Sequence, residues 1–278
     1  MIVFIADFFV DEILGGGELN NHELIELLRG QGHKVKTIKS DRVTPSYLKK
    51  INASLFIVGN FIGLSEESKN ELKSKNYVIY EHDHKYLRSR NPAHYNDFTA
   101  PAEELVNVEF YEKALRIFCQ SEFHQSIIHR NLKTDNIISV GGNLWSVESL
   151  DLLECLSLAQ KKDGCSILSS SIPHKNTRAA VGYCEIKNLN YDLCASNDYE
   201  SFLEQLSKNE TLVFFPQTPE TLSRIVVESR MMGMRVITNR LVGATQEKWF
   251  KLKGKDLIDV MRGRRHSIPQ MVLECISQ

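Results

Sequence analysis

Short apolar runs and amphipathic stretches of helical length alternate from the first residues onward. Ile2 to Ala6 is a five-residue apolar run suited to a buried strand. Residues 18–30 place Leu19, Leu24, Ile25 and Leu28 near one face and predict a helix, which Gly30 and Gly32 stop. Residues 33–38 and 54–59 read as strands, 65–75 as a charged helix and 77–81 as another strand. A helix over 102–113 precedes a strand at 115–119, and a helix over 121–131 precedes a strand at 136–140. Strands separated by helices predict a parallel sheet covered on both faces.

The second half repeats this order. Strands are expected at 165–170, 191–195, 211–215 and 235–238, with helices over 175–185, 198–207 and 221–232 between them. A break near 148–164, ending in Lys161, Lys162, Asp163 and Gly164, marks the boundary. The expected organisation is α/β, with two doubly wound Rossmann-like domains, 1–155 and 156–278, facing each other across a cleft. In such sheets, ligands lie at the carboxyl ends of the strands.

Composition narrows the class. The chain has 278 residues, 42% hydrophobic and 25% charged, which excludes wholesale disorder. The opening apolar run has no basic head and meets Asp7 at once, so it does not read as a signal peptide. No apolar run reaches bilayer length. Six cysteines at 119, 155, 165, 184, 194 and 275 form no Cys-x-x-Cys pair, which fits a reducing cytosol. A soluble cytoplasmic protein is expected. The net charge of −1 disfavours a nucleic-acid partner. It conceals an asymmetry: residues 1–160 carry −5 and residues 161–278 carry +4, a balance that would suit an anionic ligand in the second half.

The informative segment runs from Thr211 to Gly243. A buried strand leads through Pro216 to a helix, a stop at Gly233 and another strand. Leu222, Ser223 and Arg224 at the helix start would offer unpaired N–H groups to an anion. Glu220 and Glu228, eight positions apart, would repel a phosphate and suit sugar or ribose hydroxyls instead. Taken alone, Glu220 is better accounted for as a plain helix-start acid. Glu228 interrupts an apolar stretch between Ile225 and Met232 and is expected to be partly buried with a partner.

This segment resembles the donor site of retaining GT-B glycosyltransferases, those of family 4 in particular. Phe215-Pro216, Glu220, Glu228, Gly233 and Arg235-Val236-Ile237 stand in the order of that family's motif. The resemblance implies that Glu220 meets the transferred sugar, Glu228 the ribose, and the amides around Ser223 the diphosphate. It extends over nearly the whole chain. Gly15-Gly16-Gly17-Glu18 is similar to the family's glycine loop, which implies that Gly16 and Gly17 approach the donor. The turn Cys119 to His124 and the turn Val140 to Asn143 also have counterparts, and Ile172 to Asn176 is similar to the loop whose Lys, here Lys175, pairs with the diphosphate.

The sequence departs from the family at Ser169-Ser170, where a Gly-Arg pair is usual, and at Ser223, where Gly is usual. Arg224 or Arg178 would supply the missing cation. His82, at the end of a strand, matches a family His that faces the sugar, and is the second candidate catalytic residue beside Glu220. The His82-x-His84 spacing is also compatible with a metal, although none is expected, because Lys175 and the helix near Ser223 would neutralise the leaving group, and the absence of an Asp-x-Asp motif agrees with that.

The expected activity is retaining transfer of a hexose from a nucleotide-diphosphate sugar to an acceptor hydroxyl, independent of metal and of any further cofactor. The acceptor would be a glycan, a lipid-linked sugar or a small molecule. Lys251, Lys253, Lys255, Arg262, Arg264 and Arg265 suggest peripheral contact with an anionic membrane, against the simpler reading of solvated charge. The alternative function is a non-catalytic relative that binds nucleotide sugars or glycans as a scaffold. A dinucleotide-binding dehydrogenase or epimerase lacks support, since Asn20 stands where the third glycine of Gly-x-Gly-x-x-Gly would fall.

Overall fold

The computed structural model describes residues 1–276 and divides into two compact units, residues 1–144 with 264 onward, and residues 145–263. In the first unit the strands are β1 (Ile2–Ala6), β2 (Val35–Lys39), β3 (Leu55–Val58), β4 (Tyr77–Glu81), β5 (Ile117–Cys119) and β6 (Ile137–Ser139). They form one parallel sheet in the order β2-β1-β3-β4-β5-β6. Strand side chains alternate between faces, so a strand buried on both sides feeds two cores. Val3 and Ile5 of β1 join one core with Phe56, Ile79 and Ile117, while Ile2, Phe4 and Ala6 join the other with Leu55, Val78 and Phe118.

Helices α1 (Gly16–Gly30), α2 (Pro45–Lys50), α3 (Glu66–Leu72), α4 (Val108–Glu112) and α5 (Glu122–Asn131) connect these strands. Leu24, Ile25 and Leu28 of α1 pack on one face, and Leu48, Leu72 and Ile128 of α2, α3 and α5 on the other. The helix expected over 102–113 is shorter. It is a 3-10 turn at Ala102–Glu104 followed by α4, because Asn107 adopts a left-handed φ of 57°. The Asn107 amide explains that conformation: it donates to the Lys85 carbonyl and accepts from Lys69, both at 2.8 Å.

The second unit contains α6 (Val147–Leu158), β7 (Lys162–Leu168), α7 (Thr177–Ile186), β8 (Tyr191–Cys194), α8 (Tyr199–Leu206), β9 (Asn209–Phe214), α9 (Arg224–Met231), β10 (Arg235–Thr238) and the start of α10 (Lys255–Leu273). Its parallel sheet runs β10-β9-β7-β8. Ala180 and Cys184 of α7 pack on one face with Ile167 and Val213. Val226, Val227 and Met231 of α9 pack on the other with Leu212 and Phe214.

The boundaries differ from 1–155 and 156–278 in two respects. Most of the presumed break at 148–164 is α6, capped by Ser146, which accepts from the Ser149 N–H at 3.1 Å. Leu150 and Leu153 bury its inner face in the second unit. The end of the chain belongs to the first unit, whose core includes Ile268, Val272 and Cys275. The six cysteines are all free thiols. Among the described residues, no helix is long and apolar enough to cross a membrane.

Candidate functional site

In the second sheet, β7 leads through α7 to β8 on one side, while β9, on the other side of β7, leads through α9 to β10. The loops after β7 and β9 therefore diverge, and α7 and α9 cover opposite faces. A crevice at such a switch point is where open α/β sheets bind ligands.

These two loops are fastened together. The Asn176 side chain donates to the Phe215 carbonyl at 3.0 Å, and the Gln217 N–H donates to the His174 carbonyl at 2.8 Å. Asn176 achieves this with φ 56°, which ends the 3-10 turn Pro173–Lys175 and opens α7. The turn delivers Lys175, whose Nζ lies 2.7 Å from Oε1 of Glu220. Glu220 is held by a parallel bridge to Val242, donating its N–H to Leu241 at 2.8 Å and accepting from Gly243 at 2.9 Å. The structure thus brings two of the expected site residues together, forty-five positions apart in sequence.

Leu222 is buried, and its carbonyl accepts from the Ala244 N–H at 3.0 Å. Helix α9 begins at Arg224, three residues later than expected. Its N-cap is Ser223 at φ 77° and ψ 93°. That region favours glycine, so Ser223 holds a strained conformation. Its hydroxyl is buried, with no hydrogen-bond partner among the described residues, at a helix tip that carries positive partial charge.

Glu228 is only 2% exposed. Its Oε1 accepts from Trp145 Nε1 at 2.9 Å and from the Tyr199 hydroxyl at 2.7 Å, with Arg224 Nε at 3.3 Å. The partner expected for a carboxylate in this apolar stretch is therefore a set of three. Burial, then the Glu228 carboxylate, raises the Tyr199 phenol far above its ordinary value and keeps it a donor. Arg224 also stacks 4.4 Å from the Trp145 ring, so its charge is directed at Glu228 and Trp145. Of the two arginines considered for the missing cation, Arg178 is the exposed one, in the first turn of α7. Trp145 and Tyr199 were not legible as site residues, because nothing in their spacing connects 145, 199 and 228.

In the first unit, His82 follows β4. Its Nε2 lies 2.5 Å from Asn21 Oδ1, and its Nδ1 lies 3.0 Å from Gln120 Nε2. With the amides assigned in this way, Nε2 carries the proton and Nδ1 accepts. Burial, then the charge of Lys85, lowers its pKa to about 3, so the ring is neutral. Gly17 lies against it: a Cβ on Gly17 would sit 3.6 Å from the ring. Gly16 is exposed in the first turn of α1. Glu18 folds its carboxylate back over that turn, where burial raises its pKa and Asp7 adds to the rise. The glycine loop therefore presents a carboxylate of its own over Gly15.

His82 and His84 do not converge. The strand ends at Glu81, and His84 turns to Tyr86, with Nδ1 2.9 Å from the hydroxyl, and to the ring of His124. Among the described residues, no group of three or more His, Cys, Asp or Glu is placed to hold a metal. Beneath His82, Glu81 and Lys85 form a buried ion pair that Tyr111 completes by donating to Glu81. Asp83 pairs with Arg90. Burial alone would raise its pKa, but Lys85 and Arg90 pull it down to about 2.

Three of the six basic residues near the C-terminal end of the chain, Lys255, Arg262 and Arg265, are paired with acids of their own units. Arg262 meets Asp151 at 2.8 Å and Glu154 at 2.9 Å, Lys255 meets Glu154 at 3.2 Å, and Arg265 pairs with Glu23. These pairs supply a structural reason for three of the six charges, and no contact of the described residues supports the anionic-membrane expectation.

No protein-family model and no curated protein sequence matches the chain. Solved structures do. HepE from Anabaena, in complex with UDP and glucose, is similar at a TM-score of 0.59 and 12% identity, covering 100% of this chain and 99% of that one. An alpha-glucosyltransferase in complex with UDP and a 13-mer DNA containing a HMU base matches at 0.52 and 11%, covering 100% and 99%. The catalytic domain of starch synthase IV from Arabidopsis thaliana, bound to ADP and acarbose, matches at 0.56 and 9%, covering 99% and 94%. The likeness shows the fold, two Rossmann-like α/β units of the GT-B kind.

Proposed function

We propose that this chain is a glycosyltransferase that moves a hexose from a nucleotide-diphosphate sugar to an acceptor hydroxyl with retention of configuration. The observation that carries the reading is the pairing of Lys175 with Glu220 at the switch point of the second sheet, beside the strained tip of α9. A cation and a carboxylate in contact suit the two ends of one donor. On binding, the diphosphate takes the Lys175 ammonium, and Glu220 is released to accept from the sugar hydroxyls.

The Ser223 hydroxyl and the first N–H groups of α9 hold phosphate oxygens. Glu228, fixed by Trp145, Tyr199 and Arg224, accepts from the ribose. In the reaction the bond from the anomeric carbon to the β-phosphate oxygen breaks, and a bond to the acceptor oxygen forms. The acceptor proton passes to the departing diphosphate. Lys175, Arg178 and the helix tip stabilise that leaving group electrostatically, the main catalytic contribution, so no divalent metal or further cofactor is needed. His82 has both nitrogens engaged, which suits a positioning role within the first unit rather than that of a base.

The reading draws support from the similar structures, which include complexes with UDP and with ADP. One of them was solved with DNA, so the composition-based case against a nucleic-acid acceptor loses its force. A binding or scaffold role is the second reading, favoured by Ser169-Ser170 in place of a second cation. The two are separated by incubating the protein with UDP-, GDP- and ADP-glucose together with a panel of hydroxyl acceptors, simple glycosides, oligosaccharides and short DNA among them, and following donor consumption by NMR. A transferase consumes at least one donor and yields a product that keeps the donor's anomeric configuration. Binding without turnover of any donor leaves the scaffold reading.

A further inference from the structure

Among the described residues of the first unit, the exposed large apolar side chains are Phe8, Ile13, Leu14 and Ile62, between 43% and 60% exposed. They are not scattered. Phe8, Ile13 and Leu14 lie on the loop after β1, and Ile62 lies on the loop after β3. Strands β1 and β3 are neighbours, β1 leads to β2 on one side, and β3 leads to β4 on the other. The four residues therefore sit at the switch point of the first sheet, where a ligand crevice is expected.

Asp7 joins the two loops. Its carboxylate accepts from the Ile62 N–H at 3.1 Å, from the Gly63 N–H at 3.0 Å, and from Ser40. The loop after β1 continues directly into Gly15, Gly16 and Gly17, and Gly17 lies against His82. An apolar wall thus adjoins the polar residues at one sheet edge. Exposed apolar side chains concentrated at a crevice mark a binding surface.

Charge selects the occupant. From Asp7 to Leu28 the chain has no Lys or Arg, while Asp7, Asp11, Glu12 and Glu18 lie in the same stretch as Phe8, Ile13 and Leu14. Lys39 is paired with Glu12 at 2.7 Å and lies 5.1 Å over the Phe8 ring. An anionic bilayer would be repelled by such a rim. We infer that this crevice binds the apolar part of an uncharged acceptor, an alkyl or aryl group carried next to the hydroxyl that is glycosylated. The acceptor role rests on the proposed transferase reading, whereas the apolar site itself does not.

The test uses the full chain with labelled Ile and Leu methyl groups, titrated with octyl β-D-glucopyranoside below its micellar range and with methyl β-D-glucopyranoside. The octyl glycoside is expected to shift Ile13, Leu14 and Ile62 saturably, and the methyl glycoside at equal concentration is not. Both side chains are exposed, so Leu14→Ser with Ile62→Ser keeps the thermal midpoint and weakens the octyl glycoside about tenfold or more. Shifts confined to other residues, or unchanged affinity in the double variant, overturn the inference. So does pelleting with phosphatidylcholine–phosphatidylglycerol vesicles that the double variant abolishes, because the patch would then be a membrane wedge. Separate addition of UDP-, GDP- and ADP-glucose reads the transferase proposal alone. No stabilisation by any of them removes the acceptor role and leaves the apolar site standing.

Discussion

The ammonium of Lys175 lies 2.7 Å from the carboxylate of Glu220, each on a loop leaving an adjacent parallel strand. Both side chains are largely but not wholly buried, at 26% and 14% exposure. A pair in that position is accessible to a ligand yet screened less than a surface pair. Lys175→Ala is expected to weaken binding of the preferred nucleoside diphosphate by about ten- to a hundredfold, the range of one charge-assisted hydrogen bond. Calorimetric titration checks this.

Glu228 depends on its donors. Tyr199→Phe leaves a buried carboxylate with one donor fewer and should cost about 1–2 kcal/mol of stability, measured by denaturant unfolding. If Glu228 receives the ribose, the same variant also narrows the preference for a ribonucleoside diphosphate over its 2′,3′-dideoxy analogue. A stability loss with that preference unchanged would make Tyr199 a purely structural residue.

Ser223 stands at φ 77°, where a side chain is strained. Ser223→Gly should therefore raise stability by about 1 kcal/mol, seen as a higher thermal midpoint. Ser223→Ala, which keeps the strain and removes the hydroxyl, should not. Nucleotide affinity is expected to fall in both variants, because both lack the buried hydroxyl.

The histidines set an acid limit. Burial, the first cause for each, lowers the pKa of His82 to about 3 and that of His84 to about 4, against about 6.5 in the unfolded chain. The unfolded state then binds protons first as pH falls. Their contribution is complete above about pH 6.5 and is lost progressively toward pH 3–4. The thermal midpoint should be flat in this respect from pH 8 to about 6.5 and fall below it, and His84→Asn should flatten the fall. Activity should show no inflection from His82 between pH 5 and 8.

Much of this architecture was legible in the sequence. The runs Ile2 to Ala6 and Tyr77 to Tyr80 are apolar throughout because both faces of a parallel strand are buried, and β1 and β4 occupy the residues expected. Local signals failed where long-range contacts decide. Asn107 breaks a helix because its amide serves Lys85 and Lys69. Helix α6 was read as a break because its leucines are interrupted by acids whose partners, Lys255 and Arg262, are about a hundred residues away. At the site, Glu220 and Glu228 stood out through the motif they resemble. Their partners Lys175, Trp145 and Tyr199 had no local pattern linking them to either acid, since each contact is made across the fold.

The most direct measurement titrates wild type, Lys175→Ala and Glu220→Gln with UDP, GDP and ADP and with the corresponding glucose conjugates. If the two residues grip opposite ends of one donor, Lys175→Ala weakens the nucleoside diphosphate and its sugar conjugate alike. Glu220→Gln then weakens only the conjugate and leaves the bare diphosphate unchanged. Wild type that binds none of the six ligands, or variants that bind all of them as wild type does, would contradict the assignment.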